Sequence, residues 1–129
     1  MNKAVLADKR VLIVDDNSLN LFLLSYSLRP YVAEIQTATS AIQALELITQ
    51  FLPDILISDI TMPDIDGYSF IRQVRSIQSL EGRFLPAIAL TGWFSEEEQA
   101  QALNSGFQLF ISKPISINDL VEAMAQLFT

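Results

Sequence analysis

Val11-Leu12-Ile13-Val14 runs straight into Asp15-Asp16, and three further apolar runs end on polar residues in the same way. Ile55-Leu56-Ile57-Ser58 meets Asp59, Ala87-Ile88-Ala89-Leu90 meets Thr91, and Leu109-Phe110-Ile111-Ser112 meets Lys113-Pro114. Short apolar runs bounded by helical patterns read as buried parallel strands. In an open α/β sheet, ligands sit just beyond the carboxyl ends of such strands. Three carboxylates, a hydroxyl and an ammonium are therefore expected at one edge of one sheet.

The segments between these runs carry helix signals. Asp16-Asn17-Ser18 supplies cap residues for a helix in which Leu19, Phe22, Leu23 and Tyr26 recur at helical spacing, and Pro30 marks its end. Glu34 to Ala38 alternates like an outer strand. Thr39-Ser40 caps a helix with Ile42, Leu45 and Ile48 on one face, and Pro53 breaks the chain before the strand at Ile55. Gly67 to Ile77 is a third helix, followed by a loop from Ser79 to Pro86. Ser95-Glu96-Glu97-Glu98 gives a cap and an acidic first turn, favourable at a positive helix end, and Gly106 stops that helix. Ser116-Ile117-Asn118-Asp119 opens a last helix with Leu120, Ala123, Met124 and Leu127 as apolar positions. Strands alternating with helices in this way predict an α/β fold, a single doubly wound (βα)5 domain over residues 1–129 with its core at about 10–127.

Composition narrows the chemistry. Half of the 129 residues are hydrophobic, which suits a packed core. No apolar stretch approaches the ~20 residues of a membrane helix, and the N-terminus lacks the apolar core of a signal peptide. Zero cysteines exclude disulfides and thiolate metal sites and fit a cytoplasmic protein. A net charge of −7 with eight dispersed basic residues argues against nucleic-acid binding through this domain. Zero histidines exclude a His-Asp triad, a histidine zinc site and a phosphohistidine. Any histidine chemistry must come from a partner.

Each site residue has an ordinary reading when taken alone. An acidic pair after a strand often caps a helix, a lysine often snorkels, and a threonine often just ends a strand. Their convergence changes that. Two like charges ~4 Å apart repel by roughly 4 kcal/mol at an effective dielectric of about 20. Asp15, Asp16 and Asp59 together therefore call for a cation, and oxygen-only ligands point to Mg²⁺ or Mn²⁺. Lys113 and Thr91 can neutralise and hydrogen-bond phosphoryl oxygens. A carboxylate nucleophile, a divalent cation and an ammonium are the parts needed to accept a phosphoryl group as an acyl phosphate.

Val14-Asp15-Asp16-Asn17, the run Ser58-Asp59-Ile60-Thr61-Met62-Pro63-Asp64-Ile65-Asp66-Gly67, Leu90-Thr91-Gly92 and Lys113-Pro114 together resemble the receiver domain of two-component response regulators. The resemblance runs from about Arg10 to Leu127 and implies a flavodoxin-like sheet of order 2-1-3-4-5. It implies that Asp59 is the phosphoacceptor, and that Asp16 and Asp59 bind Mg²⁺ with Asp15 acting mainly through water. The main-chain carbonyl of Thr61 is the matching further ligand. Thr91 corresponds to the switch hydroxyl, Lys113 to the phosphate-contacting lysine and Phe110 to the switch aromatic. A cis Lys113–Pro114 peptide is expected, turning the lysine side chain into the crevice. Gly92 departs from the family's usual alanine or serine, and would loosen the loop after Thr91. Trp93 is bulky for its position, and either lies over the phosphorylation site or belongs to a partner surface.

The implied function is a signalling module, accepting phosphate from a sensor histidine kinase or histidine phosphotransfer protein and switching to regulate an output protein or domain. The segment from Ala89 to Pro114 looks closer to hybrid-kinase receivers than to DNA-binding regulators. An aspartyl-phosphate phosphohydrolase is the competing enzyme class, but Asp59-Ile60-Thr61 lacks the second carboxylate two residues on that such enzymes use, and no cap domain is evident. A receiver-like binding module that is never phosphorylated is a third reading, against which the intact residue set weighs.

Overall fold

The computed structural model describes residues 3–60, 64–77, 84–92 and 95–128. Strands β1 (Arg10–Val14), β2 (Glu34–Ala38), β3 (Ile55–Asp59), β4 (Ala87–Thr91) and β5 (Leu109–Ser112) alternate with helices α1 (Ser18–Leu28), α2 (Ala41–Phe51), α3 (Gly67–Ser76), α4 (Glu96–Ser105) and α5 (Ile117–Gln126). The strands form one parallel sheet in the order β2-β1-β3-β4-β5, as the resemblance implied.

Side chains alternate across each strand, and this period of two sorts the core into two layers. Leu12, Val14, Leu56, Ala87 and Ala89 pack with residues of α2 and α3, and with Ala102 of α4. Val11, Ile13, Ile55, Ile57, Ile88 and Leu90 pack on the opposite face with residues of α1 and α5. Central strands covered on both faces need apolar residues at every position. That requirement explains why β1, β3 and β4 read as continuous runs and not as alternating ones.

All five helices start with a side-chain cap. Asn17, Ser40, Asp66, Ser95 and Ser116 each accept a hydrogen bond from a backbone N–H in the first turn. Thr39 adds a reciprocal bond at α2, its N–H donating to Gln43 Oε1 at 2.8 Å. Gly106 ends α4 with φ at 130°, a backbone conformation that side chains disfavour.

Three sequence expectations need correction. The stripe Leu19, Phe22, Leu23 and Tyr26 does not face the core; all four are exposed, and Leu21, Leu24 and Leu28 are buried instead. On α2, Ile42 is exposed and the buried stripe is Ala41, Ala44, Ile48 and Phe51. On α5, Val121 and Ala125 join Leu120 and Met124 in the core, while Ala123 and Leu127 are only partly covered. The loop expected from Ser79 lies mostly outside the described residues; within it, Leu85 is fully buried.

Asp66 gives a pH-dependent test of this capping. Bonds from the Ser69 N–H and hydroxyl and from the Tyr68 N–H hold its carboxyl below the usual range. A carboxyl depressed in the folded state stabilises fully above its unfolded value of about 3.9, and that contribution is lost as pH falls through the lower folded value. Asp66→Ala should therefore lower stability by about 1 kcal/mol at neutral pH. Urea midpoints for wild type and variant should converge as pH falls through that depressed value.

Candidate functional site

Strand register brings the polar strand ends together. Val14 pairs with Ser58, Asp59 with Leu90, and Thr91 with Ser112. The parallel ladder continues one residue past each strand. Asp15 N–H donates to Ala38 O at 3.1 Å, Ile60 N–H to Leu90 O at 3.1 Å, and Lys113 N–H to Thr91 O at 2.8 Å. These bonds fix the backbone of the site residues before any side chain is considered.

The side chains then converge. Asp15 is 1% exposed, Asp59 6% and Thr91 7%, while Asp16 stands in solvent. Carboxylate oxygens of Asp15, Asp16 and Asp59 lie within 4.8 Å of one another. Lys113 Nζ reaches Asp59 Oδ2 at 3.1 Å, and the Lys113–Pro114 peptide is cis as expected. Within this set three carboxylates face one ammonium, leaving two formal negative charges uncompensated.

Asp15 registers the strain. Burial pushes its carboxyl above the ordinary range; the Asn17 N–H opposes this, nearby Asp59 adds to it, and Lys113 and Asn20 pull it down. Asn17 N–H donates to Asp15 Oδ1 at 2.9 Å, and Asn20 Nδ2 approaches Oδ2 at 3.4 Å. Asn20 is a supporting residue that sequence reasoning did not single out. Its only signal is an amide in the first turn of a helix that opens directly after an acidic pair. An all-oxygen set at this spacing, carrying excess negative charge, suits a hard divalent cation of the Mg²⁺ or Mn²⁺ type.

The loop after Asp59 is closed at its neck. Gly67 N–H donates to Ile60 O at 2.7 Å, and a Cβ on Gly67 would stand 2.5 Å from Ile60 Cα. Only glycine allows that approach. Asp64 accepts from Ile42 N–H at 3.1 Å and Ala41 N–H at 3.3 Å, tying this loop to the start of α2. Thr61, whose carbonyl is the expected further ligand, lies outside the described residues, as does Trp93. Gly92 is exposed, and a Cβ there would meet nothing within 4 Å, so sterics do not require glycine at that position. Phe110 is half-buried on β5, opposite Ala89, and packs on the α2–α3 side of the sheet. A groove of about 470 Å³ runs from Asp15 and Lys113 past Pro114 and Ile115 to Leu23 on α1.

Comparison with known proteins agrees with this geometry. Residues 11–125 match the family model of the response regulator receiver domain. A 14.6 kDa uncharacterized protein from the sodA1 3′ region of Leptolyngbya boryana is 38% identical over 121 residues, covering 94% of this chain and 91% of that protein. The sensor histidine kinase RcsC of Salmonella typhi is 31% identical over 118 residues, which are 92% of this chain but only 12% of the kinase. The chemotaxis response regulator CheY4 of Vibrio cholerae superposes with a TM-score of 0.85 at 26% identity, covering 94% of this chain and 99% of that one. A sheet of this strand order, with its acidic strand ends facing a lysine, and a family match over almost the whole chain identify this protein as a member of the response regulator receiver domain family of two-component systems.

Proposed function

We propose that Asp59 accepts a phosphoryl group from a phosphohistidine on a sensor kinase or histidine phosphotransfer protein, and that this occurs in the cytoplasm. The observation that carries the reading is the pairing of a nearly buried Asp59 with Lys113 at 3.1 Å, beside two further carboxylates. In the transfer the P–N bond of the donor breaks and an Asp59 oxygen–phosphorus bond forms, the imidazole leaving with the electron pair. Asp15, Asp16 and Asp59, with the Thr61 carbonyl, would hold Mg²⁺ or Mn²⁺. When bound, that ion neutralises carboxylate and phosphoryl oxygens together.

The residues of this chain then respond to the product. An acyl phosphate adds roughly one negative charge to Asp59. Lys113 already contacts the acceptor and can follow that charge. Thr91, one register position beyond the Leu90 that pairs with Asp59, can donate its hydroxyl to the new oxygens. Phe110 shares a sheet face with Thr91 by strand alternation and is placed to change rotamer when that residue moves. The chemistry stops at its own phosphorylation and hydrolysis, so the domain acts as a switch on an output module and not as a turnover enzyme.

The donor must approach along a surface next to Asp59. Of the exposed stripe Leu19, Phe22, Leu23 and Tyr26 on α1, Leu23 lines the groove that holds Asp15 and Lys113, and the Phe22 and Tyr26 rings stack at 6.2 Å. An apolar patch beside a polar reaction centre supports docking of a donor whose own histidine supplies the chemistry missing here. Both a short single-domain relative and a receiver within a long kinase match this chain, and either context accommodates the same docking.

Acetyl phosphate with Mg²⁺ should add one phosphoryl group by intact mass, absent in Asp59→Asn and in excess EDTA. Equal labelling of the variant would overturn the assignment. Saturating Mg²⁺, at about 100 times its Kd, should stabilise the wild type by roughly 2.7 kcal/mol, an effect largely lost in Asp16→Ala. Asp15→Asn, which removes a buried charge, should raise the melting temperature of the metal-free protein by about 2–5 °C. Phe22→Asp should slow phosphotransfer from a histidine kinase or phosphotransfer protein at least tenfold, about 1.4 kcal/mol, while acetyl phosphate labelling is unchanged.

A further inference from the structure

Among the described residues, the two ends of α4 are packed unequally. Its buried residues are Ala102 and Ser105, both in the C-terminal half. Glu96, Glu97 and Ala100 are exposed, and Glu98 and Gln99 are only partly covered. The helix begins five residues after Thr91, so its lightly packed end is the one next to the switch hydroxyl.

The opposite end is held by an arginine from α3. Arg75 Nε and Nη2 both donate to Gly106 O, at 3.1 and 2.6 Å. Its Nη1 donates to Leu85 O at 2.6 Å, ahead of β4, and Nη2 also reaches Gln108 Oε1 at 3.0 Å. Gln108 extends the clamp, accepting from Ala87 N–H at 2.7 Å and donating to Gly106 O at 3.0 Å. One guanidinium thus joins the end of α3, the approach to β4, the cap of α4 and the approach to β5. Gly106 fits this role closely, because a Cβ there would stand 3.2 Å from Arg75 Cγ and Nε.

We propose that Arg75 makes the C-terminal end of α4 a fixed pivot, so that movement at Thr91 swings the N-terminal end of the helix while the Gly106 end stays in place. The inference rests on the phosphorylation switch proposed above. It names the regulatory device through which that switch is passed to the surface of α4. The planar fork presents Nε, Nη1 and Nη2 to these acceptors in fixed directions, whereas a lysine ammonium is a single point charge on a flexible stem.

Amide hydrogen exchange along α4 tests the pivot, in the metal-free protein and with Mg²⁺ and beryllofluoride. Without ligand, wild-type amides near Glu98 and Gln99 should exchange at least tenfold faster than those of Gly106 and Phe107, which bond to Leu103 O and Ala102 O. Beryllofluoride should change exchange in the first turns and leave Gly106 and Phe107 unmoved. In Arg75→Lys, exchange at Gly106 and Phe107 should rise about tenfold, and the ligand-dependent change should spread to that end. Acetyl phosphate labelling of Asp59 should stay at the wild-type level in this variant. Should Arg75→Lys not fold, Gly106→Ala, which presses on the clamp from the other side, takes its place. A flat exchange profile along α4, or an unaltered Gly106 end in the variant, overturns the pivot whether or not Asp59 is phosphorylated. Failure of labelling in the wild type, with the exchange gradient intact, would count against the phosphoacceptor reading instead.

Discussion

Repulsion among Asp15, Asp16 and Asp59 is the constraint around which the carboxyl edge of the sheet is organised. Holding carboxylate oxygens within 4.8 Å of one another is unfavourable without compensation. The Asn17 N–H, Asn20 and Lys113 each offset part of it, and burial of Asp15 makes the remainder harder to screen. The fold accepts this cost because the strands beneath are packed on both faces, and their ladder bonds extend past the last regular residue. A rigid sheet thus keeps together groups that would otherwise separate. That repulsion is what a divalent cation bound among these oxygens would relieve.

The same logic distributes rigidity and freedom. Beyond Asp59, Ile60 is bonded to Gly67, and Asp64 is bonded to the start of α2. Gly92, directly after Thr91, is exposed, and a Cβ there would meet nothing within 4 Å. Asp59 is held at the end of one strand, and Thr91 ends its neighbour, a few residues before the start of α4.

The strands and the site were legible because buried parallel strands need unbroken apolar runs, and polar residues at the ends of those runs stand out. The caps at Asn17, Ser40, Ser95 and Ser116 were legible for a similar reason, since short polar side chains before an apolar segment have a local cause. The orientation of α1 was not. Leu19, Leu21, Phe22, Leu23, Leu24, Tyr26 and Leu28 surround most of the helix, so spacing alone cannot say which side meets the sheet. On α2 the buried stripe includes Ala41 and Ala44, whose small side chains weigh little in a hydrophobic pattern. The support of Asp15 by Asn20 and the Arg75 clamp depend on distances that the linear chain does not record.

The two sides of α1 consequently carry different physical constraints. Leu21, Leu24 and Leu28 are part of the core, and truncating a buried leucine typically costs 2–5 kcal/mol. Leu19, Phe22, Leu23 and Tyr26 are each more than half exposed, so exchanging them costs the fold far less. Under the docking proposed above, a few substitutions on this one helix face would change which donor is recognised. The packing of the sheet and the cluster of Asp15, Asp16, Asp59 and Lys113 would be left as they are.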